Sequence, residues 1–259
     1  MKIRFTTKEV SALVISALVL GFVFGFDDGR KVFDFSLWFS NFLLMTILAL
    51  FSLIIFVAAQ KWTACKYGGN LEYSVWKFRR WGFARSSYLH RKGEGGQKGS
   101  SISWIPLGII IPALFAFLSE GYVFFAVTGM ILISSKARHR LGKEFLGLTD
   151  FEYSKIAVAG PMACIIFALI LSLVNTLSVA VVWLIKINIA LAIANMLPIP
   201  LITGSVAFFG SKFFYLFSFV FIIFASILMW YINFFFVIFF ALILASLLVT
   251  IAYYFGEVK

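Results

Sequence analysis

Acidic residues, histidine, cysteine and proline are all scarce in this chain of 259 residues, which holds 11 Asp or Glu, two His, two Cys and five Pro. Each scarcity closes off a class of function. The four aspartates are Asp27, Asp28, Asp34 and Asp150, and none lies inside a long apolar run. That excludes an intramembrane protease built on paired aspartates, whose shared proton needs two carboxylates at one depth. His90 and His139 are both flanked by basic residues in hydrophilic stretches. A membrane serine protease therefore lacks its base. Cys65 and Cys164 fall in or beside the cytoplasmic halves of predicted helices, which argues against a disulfide framework. Catalytic zinc takes three protein ligands and keeps a fourth position open for water. These two thiols have no His, Asp or Glu beside them, and each reads as a small buried hydrophobe.

What the chain has instead is oil. Hydrophobic residues make up 62%, with 33 Phe, and charged residues only 13%, far from the balance of a soluble domain. A hydrocarbon core of ~30 Å takes about 20 helical residues to cross. The sequence predicts spans near 10–26, 37–60, 104–118, 156–174, 177–198, 213–231 and 233–255. The stretch Tyr122 to Ser134 is apolar but too short to span as a helix, so it reads as a re-entrant or interfacial element whose backbone protein or water must satisfy. The expected architecture is an all-α integral membrane bundle of about six to seven spans, forming one domain over 1–259, with a C-terminal helical hairpin at 213–255. MKIRFTTKEV begins like a signal peptide, but GFVFGFDD is a poor cleavage site, so the first helix is expected to stay.

The net charge of +11 has a topological cause rather than a nucleic-acid one. Nine Lys or Arg fall between Lys61 and Lys98, and five more between Lys136 and Lys155. Under the positive-inside rule the loops 61–98 and 136–155 and the N-terminus are cytoplasmic. This requires 104–135 to enter and return on one side. The Gly, Ser and Lys content of 77–103 reads as a mobile cytoplasmic loop in contact with lipid heads at most. Lys186, in VVWLIKINIAL, is the one charge inside a span, and its cost there implies snorkelling or a polar interior.

Two motifs interrupt the apolar pattern: AGPMAC from Ala159, and NMLPIPLITG from Asn195. Pro198 and Pro200 deny the backbone its donors and end a helix, which leaves the carbonyls of Ala194 and Met196 without their usual partners. Asn195 is suited to bond such groups, and Gly204 permits a sharp or left-handed turn.

The pair of motifs resembles two signatures of the site-2 protease family of intramembrane zinc metalloproteases, A-G-P-x-x-N and N-x-x-P-x-P-x-x-D-G. KYGGNLEY, RRWGF, SWIPLGIIIPALFAFLSEG and GLTDFEYSKIAVAGP extend the likeness over residues 51–215. The resemblance implies the family's membrane core with Gly160, Pro161, Asn195, Pro198, Pro200 and Gly204 retained as its scaffold. It also implies a failed metal site. The family's aspartate ligand falls on Thr203, the Asn of the first signature on Cys164, and H-E-x-x-H on FVAAQ. That places its two histidines at Phe56 and Gln60 and its general base at Val57. A Thr hydroxyl, a Gln amide and a Phe do not hold zinc, and H-E-x-x-H occurs nowhere in the chain. The expectation is a pseudoprotease with no catalytic residue and no cofactor. It would bind membrane lipids and a transmembrane segment of another protein. A metallopeptidase by kinship only, and a small-solute transporter or channel using Lys186, Asn195 and Thr203, are the alternatives.

Overall fold

Thr6 and Thr149 open helices by the same device. The Thr6 hydroxyl accepts from the Glu9 amide at 3.3 Å while Glu9 Oε2 accepts from the Thr6 amide at 2.7 Å. Thr149 and Glu152 repeat the exchange at 3.3 and 2.9 Å. Each box satisfies two amides that a helix start would otherwise leave bare. They begin α1 (Thr7–Phe24) and α4 (Asp150–Leu173), while Asp34 caps α2 (Phe35–Lys66). These helices belong to a computed structural model that describes residues 5–27, 34–79, 104–135, 138–140, 143–145, 147–173, 178–231 and 234–257.

The remaining helices are α3 (Leu107–Leu118), α5 (Val179–Met196), α6 (Thr203–Gly210), α7 (Lys212–Leu228) and α8 (Phe234–Glu257). Four helices, α1, α2, α4 and α5, are long and apolar enough to cross a membrane. The segment read as a span at 104–118 yields only the 12 residues of α3, about 18 Å of helix against a core of ~30 Å. The 32 residues of α2 overshoot in the other direction, running about 48 Å. The centre of the bundle is α4, which packs on α2, α5, α6 and α7, while α7 and α8 form the C-terminal hairpin.

The short apolar piece before residue 135 is not a helix. Gly129–Ser135 forms strand β4, antiparallel to β1 (Gly69–Val75), in a register that pairs Gly69 with Ser135 and Val75 with Gly129. In β1 the residues Leu71, Tyr73 and Val75 are buried and Asn70 and Glu72 exposed, the period-two pattern of a ribbon packed on one face. That face rests on α1 and α2. Pairing Ser135 with Gly69 brings the chain from α3 back to the end of α2. Two smaller ribbons join β2 (Phe78–Arg79) to β3 (Trp104–Ile105) and β5 (Arg138–Arg140) to β6 (Lys143–Phe145). Most of the basic stretch 77–103, His90 included, lies outside the described residues.

Candidate functional site

Proline organises the site. Within α4, Pro161 has no N–H to give the carbonyl of Ala157 four residues back. Gln60 of α2 replaces it: its Nε2 donates to the Ala157 carbonyl at 3.1 Å, with both residues buried. Gly160 makes this approach feasible. A Cβ there would lie 2.9 Å from Gln60 Cδ and Nε2 and from Phe56 Cε2. Phe56 and Gln60 are one turn apart on α2, so both face the same notch in α4. Val57, Cys164 and Thr203 are buried as well. The four positions where the resemblance puts metal chemistry are therefore packed interior rather than the wall of an open groove. Among the described residues no three His, Cys, Asp or Glu side chains come together in a way that could hold a metal ion.

Pro198 and Pro200 free two more carbonyls, and the structure shows what takes them up. Ala194 accepts from the Leu197 amide at 3.3 Å as the helix closes, and Met196 accepts from the Tyr215 hydroxyl of α7 at 2.9 Å. Asn195 serves neither. Its Nδ2 donates to Leu191 in its own helix at 2.9 Å and to the Ala126 carbonyl at 3.3 Å. Ala126 lies in the buried extended segment leading into β4, and extended backbone inside a bundle needs such a donor. Gly204 also departs from the sequence reading. It is helical, and the left-handed residue of this corner is Leu201, with φ 70°. What Gly204 supplies is closeness: a Cβ there would collide with the carbonyl oxygens of Met196 and Leu197. Thr203 starts α6, whose next turn is held to α4 by the Ser154 hydroxyl on the Ala207 carbonyl at 3.0 Å. Phe56, Gln60 and Gly160 thus form one cluster, and Thr203 and Gly204 stand in a second with the end of α5.

Sequence reading missed the most polar contact of the bundle. The span boundary was drawn at residue 10, but α1 starts at Thr7, so Glu9 belongs to the helix and is buried. Its carboxylate lies 2.7 Å from Lys61 Nζ and also accepts from the Tyr73 amide of β1 at 3.1 Å. One carboxylate therefore joins α1, α2 and β1. Two turns further along α1, Ser16 accepts from the Tyr73 hydroxyl at 3.0 Å. The capping pattern Thr-x-x-Glu at residues 6–9 was the signal that could have found it. Lys186, by contrast, is exposed on α5 with its ammonium 4.7 Å from the Trp183 ring centre. It lies on the protein surface rather than lining a polar interior.

Compared with models of known families, with curated proteins and with solved structures, the chain matches none.

Proposed function

We propose that this is a membrane protein of site-2 protease architecture, with six to seven spans, that has given up metal chemistry and binds a transmembrane segment of another protein. The observation that carries the reading is the seating of Phe56 and Gln60 against Gly160 and Pro161. The resemblance aligns these two positions with the metal-binding turn of a helix and Gly160 and Pro161 with the motif of its neighbour. Two segments of unrelated sequence fall into contact at the residues the alignment names. In this reading the basic loops and the N-terminus face the cytoplasm.

Because the degenerate site is sealed, a partner engages outside it. The half-buried strand β4 and the corner Pro198 to Leu201 are two places where non-helical backbone reaches the surface of the described bundle. Backbone groups there can pair with an extended or unwinding segment of a second chain. Photo-crosslinkers at Met130, Leu132 and Leu201, activated in native membranes, are expected to capture a discrete membrane protein. Recovery of lipid alone from all three would overturn the binding role. The register has its own test: Phe56→His, Val57→Glu, Gln60→His and Thr203→Asp combined should confer zinc binding on the purified, folded protein. A folded quadruple variant without bound zinc would sink the alignment.

A further inference from the structure

Neighbouring residues of α2 reach different helices. Gln60 bonds α4 through the Ala157 carbonyl, and Lys61 bonds α1 through Glu9. α1 packs on α2, β1 and α3, and among the described residues it makes no comparable contact with α4 to α8. Its two ends are held by different means. At the C-terminal end α1 lies close on α2: a Cβ at Gly21 would collide with Thr46, and one at Gly25 would lie 3.2 Å from Phe42 Cα. At the N-terminal end the hold is polar. Glu9 Oε1 accepts from Lys61 Nζ at 2.7 Å and from the Tyr73 amide at 3.1 Å, while Oε2 accepts from Lys61 Nζ at 2.8 Å and from the Thr6 amide at 2.7 Å. All four acceptor positions of the carboxylate are therefore in use. Its partners outside α1 follow it in the chain, Lys61 by 52 residues and Tyr73 by 64.

We infer that α1 is a hinged strap over β1, pivoting where Gly21 and Gly25 meet α2 and closed by the Glu9 and Lys61 pair as its catch. Lipid tails are as apolar as the face of α2, so an apolar helix that leaves α2 for lipid loses little beyond its packing. Opening the buried ion pair strands two charges, and that cost falls at this one point. α1 is also the least apolar of the four helices long enough to cross a membrane. The catch therefore decides whether the first half of α1 stays down. With it open, the Tyr73 amide loses Glu9 and the Tyr73 hydroxyl loses Ser16, which uncovers the side of β1 turned toward α1. Gln60 keeps its bond to Ala157, so the contact of α2 with α4 is untouched. An order of assembly follows as well: α1 closes only after α2 and β1 have been made. The strap rests on none of the partner-binding reading.

The test uses the full-length protein in a phospholipid bilayer, in a Cys65→Ser and Cys164→Ala background, with spin labels on cysteines introduced at exposed positions. Val10→Cys on α1 with Ile47→Cys on α2 reads the strap, and Trp62→Cys on α2 with Ile166→Cys on α4 reads the core. Each pair is expected to give one narrow distance in the otherwise unaltered chain. Lys61→Met is expected to broaden the first distance and leave the second unchanged, and Lys61→Arg to keep both narrow. Glu9→Gln with Lys61→Met strands no charge and so guards against a folding failure; it too should broaden the first distance alone. A first distance that stays narrow in both methionine variants would show that packing by itself holds α1. Equal broadening of the two distances would show that the pair supports the whole bundle. Either result would overturn the strap.

Discussion

Gly160 and Gly204 are both glycines of close approach, but what each faces differs, and so does the consequence of adding a methyl group. At Gly160 the added carbon meets the side chains of Gln60 and Phe56. Those can be trimmed. Gly160→Ala is expected to destabilise the protein by about 1–3 kcal/mol, the usual range for overpacking, and Phe56→Leu in the same chain should restore part of the loss. At Gly204 the added carbon meets backbone oxygens of Met196 and Leu197, and no side-chain change relieves that. Gly204→Ala should therefore resist rescue in the same denaturation assay. The buried pair Glu9 and Lys61 obeys a third logic. Removing one partner strands a charge, so Glu9→Gln alone is expected to cost about 3–5 kcal/mol. Glu9→Gln with Lys61→Met should recover only part of it, because the stranded ammonium leaves but glutamine keeps one oxygen for the two amides, of Thr6 and Tyr73, that the carboxylate accepts from.

Elements were legible where length alone decided them. The runs that became α1, α2, α4 and α5 are apolar for long enough that no short strand competes with helix. The ribbon was not legible. Its second strand, GMILISS, has apolar residues on consecutive positions and so no telling period, and its first, GNLEYSV, alternates but follows a long helix without a gap for a separate element. Only the pairing of two segments some sixty residues apart makes either a strand, and a single sequence does not display such pairing. The corner after α5 was half legible. That prolines end the helix follows from their chemistry, but which group covers a freed carbonyl depends on what the fold brings near. Tyr215→Phe tests this assignment at the α5 and α7 junction. It leaves Met196 without its hydroxyl donor and is expected to lower stability by about 1–3 kcal/mol, against a small effect for Tyr231→Phe on the exposed end of the same hairpin.

At the scale of the whole molecule, three independent contacts set the start of α1, the end of α2 and the start of α4 at one end: Glu9 with Lys61, Gln60 with Ala157, and Lys155 with Tyr67. The ribbon brings Ser135 to the same end through Gly69. The residues at these points therefore share one end of the bundle, the end that the positive-inside rule expects in the cytoplasm. Cys65, half-buried at the end of α2, is a native reporter of that side. In a Cys164→Ser background, an impermeant maleimide should label the protein only after the membrane is opened. Labelling in intact cells would invert the topology.

The bond from Gln60 to the carbonyl that Pro161 exposes also constrains the order in which changes at these two positions can be accepted. Losing Gln60 first leaves a bare carbonyl in a dry interior, and a chain so altered is at a disadvantage before any second change arrives. Replacing Pro161 by alanine first restores an amide to the helix, after which position 60 can become leucine or methionine with little loss. Of the two routes between the same end points, the one that begins in α4 avoids the cost of about 1–3 kcal/mol for an unpaired buried carbonyl.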